Sequence, residues 1–94
     1  MIISFRTRDT ELLFRLQGGG KFASIERVAL RKLVQLDLAV TLDDLRVPPG
    51  NRLEALKGDR KGQWSIRVND QFRICFGWTK EGPEDVEIVD SHRG

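Results

Sequence analysis

The spacing of apolar positions changes period along this chain. From Ser24, the run SIERVALRKLVQLDLAV sets Ile25, Val28, Ala29, Leu33, Leu36 and Val40 three and four residues apart. That is the stripe of an amphipathic helix, which must cover a sheet or another helix, and Ser24 supplies its N-cap. From Trp64 the period becomes two. Trp64, Ile66 and Val68 share a face opposite Ser65 and Arg67. Phe72, Ile74, Phe76 and Trp78 share a face opposite Arg73, Cys75 and Gly77. Such alternation marks half-buried strands. The intervening Asn69-Asp70-Gln71 is short and turn-forming, so a hairpin is predicted in which Val68 faces Phe72, Ile66 faces Ile74 and Trp64 faces Phe76.

Weaker signals place the remaining elements. Met1 to Phe5 is short, apolar and β-branched and reads as a first strand. Asp9 or Thr10 can cap a short helix through Leu12, Leu13, Phe14 and Leu16, which ends at Gly18-Gly19-Gly20. These glycines are not followed by Gly-Lys-Ser/Thr, so they read as a helix connector and not as a phosphate loop. Thr41 with Asp44 predicts a capped turn, and Val47-Pro48-Pro49-Gly50 ends the helical region. Lys80 to Glu84 is a second turn. Asp85 to Asp90 forms the last strand, with Val86 and Ile88 on one face and Glu87 and Val89 on the other. The predicted fold is therefore α+β: a single small domain spanning 1–94. Its antiparallel sheet is mixed at the first strand, and the two N-terminal helices pack on one face. The other face stays open.

Charge changes the picture on that open face. The chain of 94 residues is 39% hydrophobic and 32% charged, with a formal net charge of only +2. Arg52 to Arg73 nevertheless holds six basic residues against three acidic ones. The predicted register sets Arg67 opposite Arg73, a like-charge pair that destabilises a bare ladder and suits an anionic partner, nucleic acid foremost. A solvated strand face with ordinary charges is the competing reading. Arg27, Arg31, Lys32 and Gln35 read as the solvated side of the helix, and Trp64 and Trp78 as core. The lone Cys75 excludes an internal disulfide and a cysteine metal cluster and reads as a small packed side chain. No metal-ligand spacing is present, and no cofactor is expected. The apolar run at the N-terminus is too short for a signal peptide or a membrane span, so a cytoplasmic location is the default.

At this point the chain resembles a known family. MIISF with its basic continuation, the Leu-x-x-Leu-Lys-Gly-Asp segment at 53–59, Gly-x-Trp-Ser-Ile-x-Val at 62–68, Arg-Ile-x-Phe at 73–76 and the terminal Asp-x-His at 90–92 resemble the HigB toxins of host-inhibition-of-growth modules. These belong to the RelE/ParE toxin superfamily, and the resemblance covers nearly the full length. It implies a RelE/ParE-like fold and a ribosome-dependent mRNA endonuclease, an mRNA interferase that inhibits translation. In such an enzyme the ribose 2′-hydroxyl attacks the adjacent phosphate without a metal. The implied partners are the ribosome, mRNA and a helix-turn-helix antitoxin of the HigA kind, with operator DNA reached only through that antitoxin.

The same resemblance implies site residues. Lys57, Asp90 and His92 match the family's catalytic positions, and Arg73 and Arg67 match basic sheet positions that hold RNA phosphate. Arg60 and Lys61 add basic charge beside Lys57. Two positions depart from the pattern: Glu54 stands where relatives often have histidine, and Ser91 where they often have tyrosine. Glu54 is expected to take the general-base part, with His92 as its acid or base partner. Serine cannot stack on a base as tyrosine can, which bears on nucleotide preference or rate. Two other functions stay open: a gyrase-inhibiting protein toxin of the ParE kind, and a decayed toxin that only binds its antitoxin.

Overall fold

A computed structural model describes residues 1–16 and 20–91. The first helix, α1, spans Arg8–Leu16. Its cap lies upstream of the expected Asp9 or Thr10: the Thr7 hydroxyl accepts from the Thr10 backbone N–H at 3.4 Å. Most of the predicted glycine connector lies outside the described residues. A short 3₁₀ turn, Gly20–Ile25, then runs directly into α2, Glu26–Leu38. That continuity displaces the expected Ser24 cap, and Ile25 stands at the N-cap with no side-chain hydrogen bond. The helical stripe is otherwise as read, with Ile25, Ala29, Leu33 and Leu36 buried. Val40 is not part of it and is 84% exposed. The reason is Asp44, whose carboxylate accepts from the backbone N–H groups of Val40 and Thr41 at 2.9 and 3.0 Å. This capping box turns the chain away into a 3₁₀ turn over Leu42–Arg46.

Four antiparallel strands follow in spatial order β1-β2-β3-β4: Glu54–Ala55, Gln63–Arg67, Phe72–Thr79 and Gly82–Asp90. The β2–β3 register is the predicted one, with Trp64 opposite Phe76, Ile66 opposite Ile74 and Arg67 opposite Arg73. Asn69 fixes it locally, because its Oδ1 accepts from the N–H groups of Gln71 and Phe72 at 2.8 and 2.7 Å. β4 starts earlier than Asp85. A tight Lys80-Glu81 turn joins Thr79 to Gly82, whose φ of 139° is a conformation that favours glycine.

Met1 to Phe5 does not form a full strand. It lies along β4 with one parallel bridge, Phe5 to Val86, and hydrogen bonds from Ile3 N to Pro83 O and from Val86 N to Ser4 O. Pro83 has no N–H to donate, and Asp85 is kinked at φ 52°. A regular ladder therefore cannot propagate there. The sheet's inner face carries Ile66, Val68, Ile74, Phe76, Val86 and Ile88, which form one core with Leu13, Ala29, Leu33 and Leu36 of the helices. Trp64, Phe72 and Trp78 pack at its margin.

Candidate active site

The outer sheet face holds an open depression of about 540 Å³ between β1 and the end of β4. Glu54, Leu56, Arg60, Arg73, Asp90 and Ser91 are among the residues on its walls, with Ser65, Cys75 and Val89 beneath. Each arrives through a separate local device. β1, only two residues long, pairs Glu54 with Ser65. β3 brings Arg73 beside the same serine. β4 carries Asp90 opposite Phe72, and the Ser91 N–H and hydroxyl both donate to the Gln71 carbonyl, at 2.6 and 2.8 Å.

Arg73 is the fixed point of this arrangement. Its side chain is 18% exposed. Nε donates to the Ser65 hydroxyl at 2.8 Å, and Nη2 to the Arg52 carbonyl at 2.9 Å. A guanidinium has five N–H donors, so these two bonds orient it without exhausting it. The Glu54 carboxylate approaches Nη2 at 3.7 Å while staying 61% exposed. Asp90 accepts from Gln71 Nε2 at 3.0 Å. Acid, cation and a second acid thus meet at one open site.

The other predicted residues lie around this center. Lys57 is exposed and stands at the N-cap of a short 3₁₀ turn, Gly58–Arg60, two residues after β1. Its loop is pinned on both sides. Leu56 N donates to Gln63 O at 2.9 Å, and Arg60 binds Gln63 at 3.1 Å and Glu87 at 3.0 Å. Lys57, Lys61 and Arg67 are not among the residues lining the depression. Arg67, itself half-buried, is instead ion-paired with the exposed Asp70, and a pair with one partner in solvent contributes little stability and yields easily to a competing anion. His92 lies outside the described residues. The basic surplus of 52–73 is therefore not concentrated in the depression, where Arg60 and Arg73 are matched by Glu54 and Asp90.

Three contributors were not anticipated. Ser65 is fully buried and accepts from Arg73. Glu87 sits between Arg60 and Arg6 and tethers the Lys57 loop to the sheet. Lys32, read as a solvated helix residue, is 8% exposed and donates to the buried Asn51. The signal for Glu87 was its outward phase on the last strand, facing an arginine-rich surface. No comparable signal marks Lys32, because its partner lies 19 residues away. Cys75 is packed as expected, and burial pushes its thiol above the usual range, followed by smaller influences from Arg60, Glu87 and Arg73. It is an inert floor residue. Among the described residues no helix is long and apolar enough to cross a membrane.

Known proteins share this arrangement of elements. Residues 15–92 match the model of the RelE-like toxin of type II toxin–antitoxin system HigB. Toxin HigB-1 of Vibrio cholerae is 55% identical over 71 residues, covering 76% of this chain and 74% of its own. Endoribonuclease HigB of Proteus vulgaris is 32% identical over 94 residues, covering 98% of this chain and all of its own. A solved YoeB/ParE toxin from Agrobacterium tumefaciens covers 95% of this chain and 92% of its own, with a TM-score of 0.50 and 19% identity, a likeness of fold.

Proposed function

This chain belongs to the HigB family of RelE-like toxins of type II toxin–antitoxin systems, and from that premise we propose that it is an endoribonuclease cutting mRNA on the ribosome. The observation that carries the reading is the Arg73 guanidinium, clamped by Ser65 and the Arg52 carbonyl beside the Glu54 carboxylate in an open depression. Three chemical tasks are required. A 2′-hydroxyl must lose its proton, negative charge must be stabilised on phosphorus, and the leaving 5′-oxygen must gain a proton. Glu54 accepts the first proton. Arg73 stabilises the phosphorane, joined by Lys57 from the pinned loop beside the depression once RNA is bound, and a preorganised donor of this kind is worth about 10²–10³ in rate. His92 protonates the 5′-oxygen, and Asp90, held by Gln71 Nε2 at 3.0 Å, supports that proton transfer. The P–O5′ bond breaks as the 2′-O–P bond forms, which leaves a cyclic phosphate and a free 5′-hydroxyl.

The openness of the depression supports dependence on the ribosome. A base that is 61% exposed and a lysine on an exposed loop are not desolvated, and such groups work well only when water is excluded. A ribosomal A-site that holds the mRNA against this face would supply the missing walls. Arg67, Arg60 and Lys61 would then meet backbone phosphate around the cut. The partner that neutralises the toxin is a helix-turn-helix antitoxin, and operator DNA is bound through it. Transcript 5′ ends mapped after inducing the toxin without antitoxin test this reading. New ends inside translated regions that disappear with Lys57→Ala are expected. Growth arrest with intact transcripts would instead point to a protein target such as gyrase.

A further inference from the structure

A buried ammonium forms part of the support for this site. Lys32 of α2 donates through Nζ to Oδ1 of Asn51, which is itself fully buried. The Asn51 Nδ2 donates in turn to the Leu45 carbonyl at 3.1 Å and to Gln35 Oε1 at 3.2 Å. An ammonium can only donate and a carbonyl can only accept, so the two flank the carboxamide in a single orientation. Burying a cation against a neutral amide is a poor way to stabilise a core compared with hydrocarbon. Ala29, Leu33 and Leu36 already fill the same helix's buried stripe.

What the bond does is fasten a turn. Asn51 closes the 3₁₀ turn Pro49–Asn51, with its N–H on the Pro48 carbonyl at 2.9 Å and the Arg52 N–H on the Pro49 carbonyl at 3.1 Å. The chain then enters the left-handed region at Arg52, φ 47°, a conformation that a residue with a Cβ holds only when its surroundings impose it. From there the Arg52 carbonyl meets Arg73 Nη2 at 2.9 Å. Two residues later Glu54 enters β1 and reaches the same nitrogen.

We propose that Lys32 and Asn51 are positioning residues for Arg73: their buried hydrogen bond fixes the turn whose Arg52 carbonyl, with Glu54 behind it, orients the guanidinium. This rests on the reading of Arg73 as the ligand of the reacting phosphate. The tests are Lys32→Met, which replaces the cation with hydrocarbon of similar length, Asn51→Ala, and Lys32→Arg, which retains a cationic donor for the Asn51 carbonyl oxygen.

Cleavage of ribosome-bound mRNA by each folded variant separates the effects. Lys32→Met and Asn51→Ala lose about tenfold or more in kcat with KM held within about twofold, the pattern of a misplaced transition-state contact. Lys32→Arg retains most of the wild-type kcat. In an Arg73→Lys background, Lys32→Met costs less than about twofold, because a residue acting through Arg73 is not additive with it. Solvent exchange of the Arg73 Nε–H, followed by nitrogen-15 NMR, needs no RNA and quickens in the first two variants. Quickened exchange in a protein that cuts no RNA would overturn the enzymatic reading and leave the positioning role standing. An active, folded Lys32→Met with wild-type kcat and wild-type exchange overturns the positioning role, as does a folded Lys32→Arg as slow as Lys32→Met. If Asn51→Ala is not recovered folded, Lys32→Met carries the test.

Discussion

Replacing Arg73 with alanine separates chemistry from stability. The change removes two hydrogen bonds, to Ser65 at 2.8 Å and to the Arg52 carbonyl at 2.9 Å, each worth about 0.5–1.5 kcal/mol net. It also removes the like charge opposite Arg67, returning about 0.2–1 kcal/mol. The net loss is about 1–2 kcal/mol, and for a domain of this length Tm falls by about 5–15 °C. A domain that begins with about 5–15 kcal/mol of stability remains almost wholly folded at 25 °C after that loss. The proposed role at phosphorus, in contrast, predicts a fall in cleavage rate of about 10²–10³. Thermal melting by circular dichroism and single-turnover cleavage of ribosome-bound mRNA, at a temperature below both melts, give the two numbers. Arg73→Lys keeps the charge but loses the planar fork and should fall between. A folded Arg73→Ala that cleaves within about threefold of wild type would refute the role, because no preorganised anion contact is that dispensable.

Further outcomes follow from the packing and the buried charges. Gly82→Ala should lower stability by at least about 2 kcal/mol, since φ is 139° and a methyl group there would overlap the Met1 carbonyl oxygen; urea unfolding with an unshifted midpoint would contradict it. Burial first, then Arg31 and Arg67, lowers the Lys32 pKa below its ordinary 10.5. Between the lowered value and 10.5 the unfolded chain holds more protons, so stability rises with pH through that window. Lys32→Met should flatten that rise, and an unchanged alkaline slope in urea titrations would count against a buried ammonium. The backbone N–H groups of Thr41 and Val40 hold the Asp44 carboxyl below its ordinary 3.8. Its contribution is therefore complete above 3.8 and disappears as pH falls through the folded value. Asp44→Asn should melt lower than wild type at neutral pH and converge with it in strong acid; parallel melts at every pH would exclude the capping role.

The parts of this fold that were legible in the sequence are those decided by neighbouring residues. Alternation from Trp64 to Trp78 set the faces, and Asn69, bonding its own turn, set the register, so Arg67 came opposite Arg73 as read. The stripe from Ile25 to Leu36 and the Thr41–Asp44 box were equally local. What failed depended on distant partners. The strand expected at Met1 to Phe5 is cut short by Pro83 and Asp85, about 80 positions away in sequence. Lys32 looked solvated because nothing near it announces Asn51. The meeting of Glu54 with Arg73 depends on β1, a two-residue strand too short to show any period. Lys57 was singled out through its segment's resemblance to known toxins, and its loop is held through Arg60 by Glu87, whose outward phase on the last strand was the one local hint of that task.

The most direct test mixes purified toxin with one mRNA, free or stalled on ribosomes, and reads the ends of the products. The account predicts cleavage only of the ribosome-bound message, with a cyclic phosphate on the upstream fragment, a 5′-hydroxyl on the downstream one, and loss of both when Arg73 is alanine. Equal cleavage of free and bound mRNA would contradict the role given to the open depression. Cuts that carry 5′-phosphate ends would contradict attack by the 2′-hydroxyl.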